Sequence, residues 1–236
     1  MNYSEIKHFD IANGPGIRTS LFVSGCRLRC RGCFNAVAWS FSSGREFTAE
    51  VGDGIIRSVL NPFMDGITIL GGEPTEPENQ EGLVDFLERA RVAFGPRGEG
   101  SSKTIWLFSG HTWDQLIDGG TQHGPYTDRI LACVDVLVDG PFMQEEYDIS
   151  LRFRGSANQR IIDVPKTLEK GEVVLWHDEL TPDTPSVWTR DSAPQIGGHL
   201  PSDPCDARGD GTMGCQGRRS DGMSHEPLFD PAALSR

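Results

Sequence analysis

IRTSLFVSGCRLRCRGCFN, residues 17–35, runs from a strand pattern into a cysteine cluster without a break. Residues 17–24 alternate and then become continuously apolar, β-branched and aromatic, which predicts a strand. Cys26, Cys30 and Cys33 therefore fall in the loop that follows a strand's carboxyl end.

Downstream the pattern becomes regular. Residues 47–60 place Val51, Ile55, Ile56 and Val59 at helical spacing, and residues 66–70, GITIL, form a short apolar strand closed by Gly71 and Gly72. A helix over 80–93, carrying Leu83, Phe86 and Leu87, precedes a strand over 104–108. Helical stretches over 112–117 and 127–132 lead to a strand over 134–138. Helices alternating with short buried strands predict an α/β fold with a largely parallel sheet. Ligands in such folds gather at the carboxyl ends of the strands.

The chain has 236 residues, enough for one good-sized core, and one domain is the default expectation. A formal net charge of −12 leaves no basic stripe for a nucleic-acid backbone. No apolar run approaches a membrane span, and the opening MNYSEIKHFD lacks the order of a signal peptide, so a cytoplasmic protein is expected. From about residue 181 to 236 the sequence turns to Gly, Pro, Asp and Ser with few apolar residues. The expected organisation is a folded unit at 1–180 and a disordered tail at 181–236. Cys133 beside the last strand reads as an apolar filler. Cys205 and Cys215 in the tail can bind zinc with His199 or His225, form a disulfide, or do nothing, and the last is the favoured reading.

Three of the six cysteines lie within eight positions, a spacing of ligands rather than of a disulfide framework. C-x-x-x-C-x-x-C wraps three soft thiolates around one inorganic cluster, and a cubane held by three cysteines keeps one iron open. Arg18, Arg27, Arg29 and Arg31, with no acid among them, are expected to favour thiolate formation. A zinc loop completed by a distant ligand such as His8, or three unrelated thiols, stands as the alternative. GGEPTEP at 71–77 bares backbone at a strand's end, where a small zwitterion can approach. On its own it is equally a plain strand-to-helix turn.

The segment GCRLRCRGCFN at 25–35 resembles the radical S-adenosylmethionine (SAM) signature, in which the open iron is chelated by the amino and carboxylate groups of the methionine part of SAM. Gly71, Gly72 and Glu73 resemble that superfamily's turn for the methionine amino group. Many members carry an aromatic residue just before the last cysteine. Here Gly32 stands there and Phe34 follows Cys33, so the resemblance assigns adenine contacts to Gly32, Cys33 and Phe34, largely through backbone.

DIANGPGIRTSLFVSGCRLRCRGCFN, residues 10–35, is similar to the activating proteins of glycyl-radical enzymes. VLVDGPF at 136–142 and SLRFRGSANQRIID at 150–163 look like the closing motifs of anaerobic ribonucleoside-triphosphate reductase activating proteins. The resemblance covers roughly residues 1–165. It implies a partial (β/α) barrel of radical SAM type, a 4Fe-4S cluster with SAM, and generation of a glycyl radical on an anaerobic ribonucleoside-triphosphate reductase. It also implies a flavodoxin or ferredoxin type electron donor, and no acid–base or nucleophilic catalytic residue.

Asp139, at a strand end, either orients SAM or the incoming glycine or caps a turn. His111, where the family commonly has tyrosine, reads as a loop residue. SLRFRGSANQR has an alternative reading as a final strand and polar turn with solvated arginines. Rival functions are another small radical SAM enzyme, of pyruvate formate-lyase activator or deazapurine synthase type, and a non-catalytic metal module with a fourth protein ligand.

Overall fold

The computed structural model describes residues 1–96 and 103–177. The tail expected at 181–236, with Cys205 and Cys215, lies outside the described residues. The elements in chain order are β1 (Asn2–Asp10), β2 (Arg18–Val23), β3 (Arg45–Glu46), α1 (Ala49–Val59), β4 (Gly66–Gly71), α2 (Pro77–Phe94), β5 (Thr104–Phe108), α3 (Trp113–Leu116), α4 (Thr127–Cys133), β6 (Val136–Asp139), β7 (Arg160–Asp163) and α5 (Val164–Lys170).

Seven strands form one sheet in the order β3-β1-β2-β4-β5-β6-β7. The four inner strands β2, β4, β5 and β6 pair in parallel, and β1, β3 and β7 pair antiparallel at the edges. The fold is therefore α/β with a largely parallel sheet, and that sheet is open rather than closed. Each helix and strand expected from spacing is present. Helix α2 begins three residues before the expected start because Pro77, with its fixed φ and no N–H to lose, sits in the first turn. The spacing did not reveal β1, β3, β7 or α5. β1 is half-exposed, rich in polar residues and broken by two register shifts, so it carries no clean alternation.

Side chains alternate across the sheet, and each face has its own cover. Leu21, Val23, Ile67, Ile69, Ile105, Leu107 and Leu137 pack with Ile55 and Val59 of α1, Leu83, Phe86 and Leu87 of α2, and Ile130 of α4. The opposite face has a smaller cluster, Trp106, Val136 and Val138, packed against Phe108, Phe153, Ile161 and Trp176. Among the described residues no helix is long and apolar enough to cross a membrane.

Arg18 occupies that second face at the amino end of β2, away from the cysteine loop where the sequence placed its charge. It is 0% exposed. Its guanidinium donates to Thr68 Oγ1 (2.7 Å), Ile67 O (2.7 Å), Thr104 Oγ1 and Thr104 O (both 2.9 Å), and Pro15 O (3.3 Å), and it lies 5.6 Å from the Trp106 ring centroid. Burial pushes its pKa down to about 9, which leaves it charged at neutral pH. One side chain thus ties β2, β4 and β5 together where the sheet turns into the Asn13–Pro15 loop. Replacing Arg18 by Met leaves buried carbonyl and hydroxyl oxygens without donors, at about 1–3 kcal/mol for each left unsatisfied. A loss of about 2–4 kcal/mol in unfolding free energy is expected from a urea titration of Arg18→Met.

Candidate functional site

The parallel strands end together at Val23, Gly71, Phe108 and Asp139, and a pocket of about 670 Å³ opens at that edge. The volume is that of a small-molecule or cofactor site. Cys26, Gly32, Cys30, Cys33, Phe34, Gly71, Gly72 and Glu73 all line it. Two sequence motifs some forty residues apart thus meet in one cavity.

Backbone hydrogen bonds shape the cysteine loop. Gly25 N donates to Ala38 O (2.7 Å) and Cys26 N to Trp39 O (3.1 Å), which fastens the start of the loop to the 3₁₀ turn Ala36–Trp39. Cys33 N donates to Cys30 O (3.2 Å), closing a turn that needs φ +75° at Gly32, a conformation suited to glycine. A Cβ on Gly32 would also come within 2.9 Å of Gln144 Oε1.

The three thiols are free, with Cys26 buried and Cys30 and Cys33 partly so. Burial pushes the Cys26 thiol up to about 11. The charge of Glu73 and the neighbouring Cys30 add to the shift, and backbone N–H groups of Arg29 and Leu28 oppose it. Burial raises the Cys30 thiol as well. The arginines expected to favour thiolate formation do not bring either thiol down. Arg27 is spent on Glu76 (2.5 Å) and Glu78 (2.5 Å), Arg31 lies 3.7 Å from Glu145, and Arg18 is at the far end of β2. A metal centre here forms by displacing thiol protons.

Among the described residues no group of three His, Cys, Asp or Glu side chains converges closely enough to hold a single metal ion. His8 sits on β1 beside Thr19, 3.4 Å from its hydroxyl, and not at the loop. The zinc loop completed by His8 is not what the chain builds. Cys26, Cys30 and Cys33 line one pocket, and three soft thiolate donors are a set that can hold an iron–sulfur cluster.

Glu73 lines the pocket and is also hydrogen-bonded across the turns around it. It is 1% exposed. Its Oε1 accepts from Thr75 N (2.9 Å), Thr75 Oγ1 (2.6 Å) and Ser109 Oγ (2.9 Å), and its Oε2 from Gly110 N (2.7 Å). The carboxylate braces the turn after β4 against the turn after β5. Its backbone N–H donates to Gly25 O (2.8 Å) and its carbonyl accepts from Asn79 Nδ2 (2.9 Å), which adds the cysteine loop to the same knot. Gly72 is a glycine because a Cβ would stand 2.6 Å from Gly25 O.

Asp139 is equally committed. Arg160 donates to both its oxygens (3.0 and 2.5 Å), and Trp113 N, at the start of α3, donates to Oδ2 (2.7 Å). It caps and does not line the pocket. His111 is a buried loop residue whose N–H donates to Ser109 Oγ (3.0 Å) and whose carbonyl accepts from Gly140 N (3.2 Å). Cys133 is buried in the main core, as a filler would be.

Residues 140–159 supply a whole pocket wall that the motif pattern did not reveal. Phe142, Gln144, Tyr147, Leu151, Phe153 and Arg154 line the cavity. The polar residues of SLRFRGSANQR are spent on the loop's own backbone. Ser156 Oγ accepts from Met143 N (3.1 Å), Asn158 donates to Pro141 O (2.8 Å), Gln159 to Gly140 O (3.0 Å) and Arg154 to Gln159 O (2.7 Å). Of the arginines thought solvated, only Arg152 is exposed. Trp39, on the 3₁₀ turn, also lines the pocket.

Residues 12–162 match the family model described as a 4Fe-4S single cluster domain. Curated relatives match two thirds of the chain. A Vibrio cholerae protein is 40% identical over 163 residues, covering 68% of this chain and 97% of its own length. An Escherichia coli K12 protein is 37% identical over 161 residues, covering 67% and 96%. An Enterobacteria phage T4 protein is 30% identical over 161 residues, covering 68% and 93%. All three are named anaerobic ribonucleoside-triphosphate reductase-activating protein.

Two outcomes follow from the geometry. Glu73→Gln turns one acceptor into a donor facing N–H or O–H groups, and denaturant unfolding should show a loss of about 2–3 kcal/mol. Without metal, Cys26 should react with iodoacetamide at pH 8 at least about tenfold more slowly than free cysteine, because less of it is thiolate. Peptide-resolved mass spectrometry reads that rate.

Proposed function

The chain belongs to the family of anaerobic ribonucleoside-triphosphate reductase-activating proteins, and from that membership we propose that it is a radical SAM activase that installs a glycyl radical on its reductase. The observation that carries the reading is the meeting of Cys26, Cys30 and Cys33 with the Gly71–Glu73 turn in one pocket at the carboxyl edge of the sheet. The open sheet, in this reading, is an incomplete (β/α) barrel of radical SAM type, and residues 1–180 are the whole activase unit.

Cys26, Cys30 and Cys33 would hold three irons of a 4Fe-4S cluster and leave the fourth to the amino and carboxylate groups of SAM. Such a cluster would supply the single electron for reductive cleavage of SAM, the chemistry by which a hydrogen atom would be taken from a glycine Cα of the reductase. The chain's own residues bind and orient. The Gly71–Gly72 backbone offers an edge to the methionyl ammonium, while the Glu73 carboxylate keeps that edge in place through Ser109 and Gly110. Backbone of Gly32 and Cys33 and the ring of Phe34 face the adenine. Phe34 is 81% exposed and lines the pocket.

Residues of the 140–159 segment form one wall of the pocket, where Tyr147 is a largely exposed aromatic; the exposed Ile11 and Ile149 are close in sequence to the lining residues Ala12, Tyr147 and Leu151. Exposed apolar side chains of this kind suit a docked protein loop. No acid, base or nucleophile is assigned. A flavodoxin or ferredoxin type protein would deliver the electron in the cytoplasm.

Anaerobic reconstitution with iron, sulfide, SAM and dithionite tests the reading. 5′-Deoxyadenosine together with a reductase-dependent glycyl doublet in the electron paramagnetic resonance spectrum is expected. Deoxyadenosine without the doublet points to another substrate, and failure to form a cluster removes the radical SAM reading. Cys30→Ala should abolish both cluster and SAM cleavage, whereas a chain ending at residue 180 should keep both. Loss of cleavage in the shortened chain would make the tail part of the activase.

A further inference from the structure

Six buried side-chain polar atoms lack a hydrogen-bond partner among the described residues, and four of them belong to the cysteine loop or its supports: Ser24 Oγ, Asn35 Nδ2, Trp39 Nε1 and Asn79 Oδ1. A buried N–H without an acceptor costs about 1–3 kcal/mol and calls for an explanation. Trp39 is the clearest case. Trp39 lines the pocket, its carbonyl accepts from Cys26 N at 3.1 Å, and its buried Nε1 can only donate. Asn35 is two residues beyond Cys33 and begins the same 3₁₀ turn without using its side chain as a cap.

We propose that the Trp39 indole N–H, with the Asn35 amide as a second donor, hydrogen-bonds to sulfur of the cluster held by Cys26, Cys30 and Cys33, and so sets the cluster's reduction potential. The proposal rests on the 4Fe-4S reading above. The chemistry is that of any outer donor to an iron–sulfur centre. Thiolate and sulfide sulfurs accept N–H hydrogen bonds, the reduced cluster carries one more negative charge, and donors therefore stabilise the reduced form and raise the potential. Arg27 is paired with Glu76 and Glu78, and Arg31 lies 3.7 Å from Glu145, which offsets part of the loop's positive charge; buried neutral N–H groups add to what remains. Trp39 and Asn35 are positioning residues in this account, since neither is a ligand to iron.

Trp39→Phe keeps the ring and removes the N–H, and Asn35→Leu keeps the approximate volume and removes the amide. The full-length chain and both variants are reconstituted anaerobically, assayed for iron and sulfide, and titrated with dithionite under electron paramagnetic resonance. Cluster content equal to the unsubstituted chain is expected, with the reduction equilibrium shifted toward the oxidised form by up to about tenfold in each variant. That is about 59 mV for a one-electron couple. An exchangeable deuteron coupled to the reduced cluster in D2O should vanish in Trp39→Phe. Clusters that form normally at an unchanged potential, with the deuteron coupling intact, overturn the proposal and leave the activase reading standing. An unsubstituted chain that takes up no cluster overturns both. If Trp39→Phe fails to fold, the Asn35→Leu potential and the deuteron coupling of the unsubstituted chain decide the matter.

Discussion

A buried carboxylate with four donors holds the active edge of this molecule together. Glu73 receives N–H and O–H groups from Thr75, Ser109 and Gly110, and its own backbone reaches Gly25 and Asn79. Those partners come from the loops after β2, β4 and β5. Removing the charge from water is costly, and only a full set of charge-assisted hydrogen bonds makes the position tenable. The same requirement fixes the geometry. The turn after β4, the Ser109–Gly110 turn and the start of the cysteine loop cannot drift apart without stranding an anion in the interior.

Arg18 performs the complementary task at the other end of the parallel strands, where five acceptors on β4, β5 and the 13–15 loop surround one guanidinium. Between the two ends the sheet is ordinary apolar packing. The parallel strands therefore have polar stitching at both ends, while α1, α2 and α4 bury one face. Family membership adds what the sheet alone does not say: a 4Fe-4S domain shared with activating proteins of an anaerobic reductase.

Elements of the parallel core were legible because their apolar residues recur with the period of a helix or fill whole strands, and the cysteines were legible because ligand spacing is local. What stayed hidden was whatever depends on distant partners. The arginines at 27 and 31 looked like a field for thiolates, since Glu76, Glu78 and Glu145 are far along the chain. The bracing of Ser109 and Gly110 by Glu73 was hidden too, since those partners lie more than thirty residues further along the chain. Residues 140–159 have no period, being stitched by side-chain to backbone hydrogen bonds, so their role as a wall had no pattern to announce it. Trp39, six residues beyond Cys33, was the one site residue with a local signal that could have been followed.

The dependence of the cysteine loop on Glu73, Asn79 and Trp39 has a consequence for the order of assembly. The three cysteines leave a ribosome within eight residues of one another, yet the contacts that shape their loop come from the turn after β4 and from α2, and one wall of the pocket from residues 140–159. Contacts of such sequence separation carry a loop-closure cost before they are rewarded. The motif alone therefore supplies three thiols without a cradle, and the cradle is a property of the whole fold.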